Sequence, residues 1–244
     1  MLDRALKIAR EDGILQLLRS TERVVRARLL YELQKHEMTR QLYESAFAYT
    51  DYWESRYAAG RPSGPGSVGA HARFKADVVN ELVAENDVES VLEFGCGDGS
   101  QLELAEYPEY IGLEVSESAV QQCAERFADD PRKSFFLYRP SSFVNRGPFD
   151  SDVVVSLEVL FHVVDRETWE KTLSDMFNAA RRYVVVFSSN RDDPATDKMH
   201  IRHRRFTEHV EREFPEFELI EVVENPFEER HSDFYIYERT APEE

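Results

Sequence analysis

A chain of 244 residues has room for one large domain, or for one domain with an added arm. Its 42% hydrophobic content, with only 10 Gly and 10 Pro, excludes fibrous and disordered classes. Its two cysteines, Cys96 and Cys123, can form neither a disulfide framework nor a tetrahedral zinc site alone. A net charge of −17 repels nucleic acid, and no apolar run approaches the roughly 18 residues of a membrane-crossing helix; with no cleavable leader pattern, the expected location is the cytoplasm.

The first 40 residues carry nine basic and six acidic side chains, a local +3 that leaves −20 on the remainder. Leu2, Ala5, Leu6 and Ala9, then Ile14, Leu17, Leu18, Val25, Leu29 and Leu33 beyond Gly13, make an apolar stripe. It lies opposite Arg19, Glu22, Arg23 and Arg26. Residues 1–48 therefore read as an amphipathic helical arm ahead of a domain at 49–244. Such an arm either packs on its own domain or a second subunit, or lies as a basic helix against an anionic membrane, a peripheral contact at its inner face.

Residues 49–69, YTDYWESRYAAGRPSGPGSVG, mix aromatics with Gly, Pro and Ser, which suits a loop acting as linker or lid. Residues 70–86 follow as a helix with Phe74, Val78, Val79, Leu82 and Val83 on one side. Beyond it, strands are expected at 90–94, 110–115, 135–138, 152–157 and 183–188. Helical or loop crossovers between them imply a doubly wound, mostly parallel, Rossmann-like α/β sheet. Two β-rich runs at 218–225 and 234–239 read as a closing antiparallel pair.

The sharpest feature is VLEFGCGDGS, where Gly95, Gly97 and Gly99 follow the first strand and a helix pattern opens after them. Glycines let the backbone approach a ligand closely, and a helix start offers unpaired N–H groups to it. The dinucleotide fingerprint would need its third glycine at Ser100, and it lacks the acid that Glu93 supplies here. Glu114 ends the second strand, where a carboxylate can accept both hydroxyls of a ribose. Strand, acid, glycines, helix and second acid in this order point to an adenosine-type nucleoside.

At these residues the chain resembles the class I S-adenosylmethionine-dependent methyltransferases, whose acid-x-Gly-x-Gly-x-Gly signature is met by Glu93, Gly95, Gly97 and Gly99. The resemblance implies S-adenosyl-L-methionine as cofactor, with Glu93 near its amino group and Glu114 on its ribose. DVVVSLEVLFHVVD looks like the family's fourth strand, which puts Ser156, Leu157 and Glu158 beside the cofactor and His162 toward the substrate. The acid on the third strand that often meets adenine is missing from FFLYRPSSF, which leaves Ser141 or Ser142 for that contact. The stretch from YWESRY to FKADVVNELV is similar to a bacterial and archaeal subgroup. On that likeness Trp53, Arg56 and Tyr57 cover the cofactor and Arg56 pairs its carboxylate; the alternative is a surface loop packed by its own aromatics.

Methyl transfer from sulfonium is an in-line displacement that needs alignment and a free lone pair but no metal. A hydroxyl acceptor needs a base, for which His162 is the catalytic candidate; a histidine after an apolar run can equally be a satisfied buried group. A carboxylate acceptor arrives ionised. The basic run KMHIRHRRF after the fifth strand offers His200, Arg202, His203, Arg204 and Arg205 to an anionic acceptor, since Arg forks match carboxylate geometry. The alternative has them neutralising neighbours such as Asp192, Asp193, Glu208, Glu211 and Glu213. His200 and His203 without a firm carboxylate companion make no metal site.

Of the 30 basic residues 24 are Arg and 6 Lys, a Lys-poor acidic surface resembling that of proteins from salt-loving archaea. With the arm and the basic run, the chain resembles archaeal methyltransferases that cap acidic sugars of surface-layer N-glycans on a membrane lipid. That resemblance implies methylation of a hexuronic acid as its ester. The competing readings are an O- or N-methyltransferase of a soluble metabolite and a non-catalytic cofactor-binding partner in glycan assembly.

Overall fold

A computed structural model describes residues 47–192, 200–227 and 232–240. The arm expected over 1–48 falls, but for its last two residues, outside the described residues, as does Lys198 of the basic run. In chain order the described elements are α1 (Tyr49–Ala58), α2 (Gly69–Glu85), β1 (Ser90–Phe94), β2 (Glu109–Glu114), α3 (Glu117–Arg126) and β3 (Lys133–Leu137). Then come β4 (Ser151–Leu157), α4 (Arg166–Ala179), β5 (Ala180–Ser188), α5 (Phe206–Glu213), β6 (Phe217–Val223) and β7 (Asp233–Arg239). No helix among the described residues is long and apolar enough to cross a membrane.

The seven strands form one sheet in the order β3-β2-β1-β4-β5-β7-β6. The first five pair in parallel, while β7 runs antiparallel to both β5 and β6. This is the mostly parallel Rossmann-like sheet with a closing pair that the alternation implies. Side chains alternate across it. Leu92, Phe94, Val154, Val184 and Val186 face α4 and α5, whose Trp169, Leu173, Met176, Phe177, Phe206 and Val210 cover them. Val91, Val153, Val155, Val185 and Phe187 face the other way, under Val79 and Val83 of α2 and Cys123 of α3. A sheet covered on both faces needs continuous apolar strand centres, which is why SDVVVSL and ARRYVVVFS both carry an unbroken run of valines. Two caps start the helices. The Ser116 hydroxyl accepts from Ala119 N at the head of α3, and the Asp165 carboxylate from Thr168 N at the head of α4.

Two expectations are corrected. Residues 49–58 are not a loop but α1, whose Tyr49, Trp53 and Tyr57 recur every fourth residue; the glycines and prolines that suggested a loop begin only at Gly60. Nor does an α-helix open after the glycine loop. The connection from β1 to β2 holds one 3₁₀ turn, Leu102–Leu104, and reaches Pro108 too soon for more. Helix α2 holds this short connection: Asn80 Nδ2 donates to Leu104 O at 3.0 Å and Asn80 Oδ1 accepts from Glu106 N at 2.9 Å.

Phe177 joins α4 to the closing pair, with its ring centroid 4.7 Å from Phe214, 5.0 Å from Phe217 and 5.4 Å from Tyr237. Replacing this fully buried ring by alanine should cost about 3–5 kcal/mol, read as a lowered urea midpoint at unchanged slope. A cost below about 1 kcal/mol would mean that the two halves of the sheet do not share this core.

Candidate active site

The carboxyl ends of β1, β2 and β4 open into a cavity of about 650 Å³, roofed by α1 and the segment that follows it. Its size suits one nucleoside-sized ligand with the reacting end of another. The bend after β1 makes its floor. Gly95 N and Cys96 N both donate to Leu113 O, at 2.7 and 3.3 Å, and turn the chain sharply across β2. Gly97 takes φ +58°, and a Cβ there would come within 2.5 Å of Ser63 Oγ and 3.0 Å of Tyr57 OH. Only glycine lets the roof close this tightly on the loop. Ser63 in turn bonds Asp98 through its N–H at 3.1 Å and its hydroxyl at 2.9 Å. Burial alone would raise the Asp98 carboxyl, but its bonds from Ser100 and Ser63 outweigh that and hold it below the usual range.

Three acids meet in the cavity, and each is accommodated differently. Glu93 is 3% exposed, and burial pushes its carboxyl from 4.5 up to about 7, against the pull of the Tyr110 hydroxyl, 2.6 Å away, and of Lys75. Glu114 is also raised by burial, but backbone N–H groups oppose the shift: Gly97 N donates to one oxygen at 3.0 Å, Val115 N and Ser116 N to the other at 2.7 and 3.1 Å. Glu158 is paired with the buried Lys75 at 3.0 Å. It takes φ +61°, a backbone strain that non-glycine residues hold mainly at functional sites.

At the mouth, rings stack. Tyr52 lies parallel to His200 with centroids 4.5 Å apart, His200 lies parallel to His162 at 5.3 Å, and Trp53 meets His162 edge-on at 4.9 Å. His162 Nδ1 sits 2.7 Å from the His200 carbonyl oxygen. A carbonyl can only accept, so Nδ1 carries the hydrogen and Nε2 the lone pair. Burial pushes this imidazole down to about 3, so it stays neutral at ordinary pH.

Of the residues expected at the site, Trp53, Arg56, Tyr57, Glu93, Gly95, Gly97, Glu114, Leu157, Glu158, His162, His200 and His203 line the cavity. The others are placed elsewhere, for identifiable reasons. Gly99 turns its α-carbon toward Phe127 and Cys123 and serves the packing of α3. Ser156 is 1% exposed and, by strand alternation, faces the α4 side with Val154. Ser141 and Ser142 are exposed and off the cavity. In the basic run, Arg204 donates to the carbonyls of Val163 and Val164 and lies over the Trp169 ring, Arg205 pairs with Glu208, and Arg202 lines a separate small void. The neutralising alternative thus describes Arg205, and the expectation of an arginine cluster facing an anionic acceptor is corrected.

Sequence reasoning missed Lys75, Tyr52 and Glu54. Lys75 was legible: it falls on the same helical face as Ala72, Val79 and Val83, where a lysine has no place unless it is paired. Tyr52 and Glu54 were hidden by reading α1 as a loop.

The family model described as a methyltransferase domain matches residues 69–225, and the chain belongs to that family. Solved structures share the fold. N-methyltransferase NodS from Bradyrhizobium japonicum WM9, in complex with S-adenosyl-l-homocysteine, superposes with a TM-score of 0.63 at 16% identity over 80% of this chain and 99% of its own. Magnesium protoporphyrin IX methyltransferase from Synechocystis PCC 6803, with bound SAH, gives 0.60 at 17% identity over 78% and 98%. The [4+2]-cyclase SpnF gives 0.57 at 13% over 80% and 97%. No curated protein matches. S-adenosylmethionine is the cofactor of a methyltransferase domain, and the cavity has the size and the buried carboxylates to take a nucleoside with a cationic end.

Because its folded value lies above its unfolded one, Glu93 contributes stability that is complete below pH 4.5 and is lost as pH rises through 7. Against Glu93→Gln, the wild type without ligand should lose on the order of 3 kcal/mol between pH 5 and 8 in urea melts. A difference that stays constant over that window would mean the carboxyl is not desolvated.

Proposed function

We propose that this methyltransferase acts on a small acceptor, or the protruding end of a larger one, whose nucleophile is already competent when it binds. The observation carrying this reading is His162. A neutral imidazole whose basicity burial lowers, and whose Nδ1 is already spent on the His200 carbonyl, gives an aliphatic hydroxyl little help in losing its proton. A carboxylate needs only orientation. A hexuronic acid methylated as its ester is therefore the favoured acceptor, its ring against the flat walls of Tyr52 and Trp53; a lipid-linked glycan at the cytoplasmic membrane face would present it. A neutral amine is the second reading, favoured by the free lone pair that Nε2 offers to an N–H donor.

Bound S-adenosylmethionine supplies a methyl group on a cationic sulfur that leaves as a neutral thioether. The chain's own task is alignment and exclusion of water. Glu93 is assigned to the amino group, and holding an ammonium there ionises its carboxyl. Glu114 is assigned to the ribose through the acceptor position that three backbone bonds leave of the roughly four a carboxylate offers. Arg56, whose Nε donates to Pro62 O at 2.8 Å and whose guanidinium lies 5.8 Å from the Trp53 centroid, is assigned to the cofactor carboxylate.

Binding and product chemistry test this reading. S-adenosylhomocysteine should bind more tightly as pH rises from 6 to 8, with proton release in calorimetry, and Glu114→Ala should weaken it about tenfold or more. Binding that survives intact in Glu114→Ala ends the ribose assignment. With methyl-labelled cofactor and panels of uronic acids and amines, a label released by alkali as methanol marks an ester. A base-stable label on nitrogen overturns the carboxylate reading in favour of the amine.

A further inference from the structure

Glu54, half-exposed on α1, is held by a set of bonds that the proposed reaction leaves unused. One of its oxygens accepts from the Ser116 hydroxyl at 2.6 Å and from Ser118 N at 3.1 Å, and the other accepts from the Ser118 hydroxyl at 2.5 Å. These groups form the first turn of α3, whose unpaired N–H groups and dipole favour a negative charge. Bonds from both serines hold the Glu54 carboxyl below its ordinary value.

Ser116 does three things at once. Its hydroxyl donates to Glu54 while accepting from Ala119 N at 3.2 Å to cap α3, and its N–H donates to Glu114 at 3.1 Å. The same residue thus fixes the carboxylate assigned to the ribose and anchors the roof helix. Elsewhere α1 meets the rim through Tyr52 and Trp53 on the histidine rings, Gln122 Nε2 donating to Tyr57 O at 3.2 Å, and Tyr57 OH 3.1 Å from Ser63 Oγ.

We propose that Glu54 is a positioning residue for the cofactor: through Ser116 it clamps α1 onto α3, holds Glu114 in register with the ribose, and must release for the cofactor to exchange. This rests on reading the cavity as the S-adenosylmethionine site. A carboxylate suits this place because it brings a negative charge to the start of α3 and makes charge-assisted bonds with both serines. Glutamine keeps the shape but removes the charge, and alanine removes the clamp.

The test is stopped-flow fluorescence of the full chain with S-adenosylhomocysteine, in which Trp53 on α1 is the reporter and Trp169, buried in α4, the constant background. Glu54→Gln and Ser116→Ala should each release S-adenosylhomocysteine about tenfold faster, the scale of one lost charge-assisted bond. Glu54→Asp should recover part of the slow release. Combining Glu54→Gln with Glu114→Gln should weaken binding by less than the product of the single effects, because both act through Ser116. A merely structural role would lower the melting temperature while leaving release rates within about twofold and the two losses independent; that result overturns the proposal. Wild-type protein that binds no S-adenosylhomocysteine overturns the cofactor reading as well, which separates the two failures.

Discussion

The whole site depends on one bend, where the chain leaves β1 and crosses the end of β2. Two successive N–H groups, of Gly95 and Cys96, share the Leu113 carbonyl, and the next, of Gly97, reaches the Glu114 carboxylate. This bend aims backbone donors at an acid before any ligand arrives. A buried carboxylate without such partners would be forced to take up a proton. With them, Glu114 stays within the cavity as an acceptor whose position is set by main chain, which varies less than side chains do.

The acids around that bend divide the work by environment. Burial raises both Glu114 and Glu93, but three peptide N–H groups oppose the shift at Glu114 and Lys75 pairs with Glu158, whereas Glu93 has one phenol bonded to it and is pushed up to about 7. The last therefore has the strongest demand for a cation, and a ligand bringing an ammonium group there satisfies it. Lys75 links two of the three, pairing with Glu158 while drawing Glu93 down. Its position on the inner face of α2 makes the helix preceding the sheet part of the site and not only of the core.

The sheet was legible because burial on both faces forces unbroken apolar strands, and β1, β4 and β5 display them plainly. The glycine bend and its two acids were legible because each residue there is chosen by backbone geometry or charge. What stayed hidden depends on partners distant in sequence. Nothing local in KMHIRHRRF tells that Arg204 turns to the carbonyls of Val163 and Val164, some 40 residues earlier, whereas the pairing of Arg205 with Glu208, three residues on, was one of the two readings the sequence offered. Composition also misled at 49–69, where one glycine- and proline-rich tail masked ten residues of helix with aromatics at every fourth position. The absent helix after the glycine loop follows from the spacing to Pro108, a short distance that outweighs the usual strand–helix alternation.

That absence bears on specificity. With only a 3₁₀ turn between β1 and β2, the cavity takes its roof from chain that precedes the sheet: α1 and the Ser63–Ser67 segment. The methyltransferase-domain match begins at residue 69, so the glycine bend, Glu93, Glu114 and His162 lie inside it, while Tyr52, Trp53 and Arg56 lie outside. The family match thus holds the glycine bend, its acids and the His162 and His200 rings, while the aromatic rings of α1 that pack on them come from the chain ahead of it. Proteins that share the sheet at 13–17% identity are as different as a porphyrin methyltransferase, an N-methyltransferase and a cyclase. The shared sheet therefore does not carry the acceptor with it; on the proposed reading, acceptor choice rests on α1 and the histidine stack it packs against.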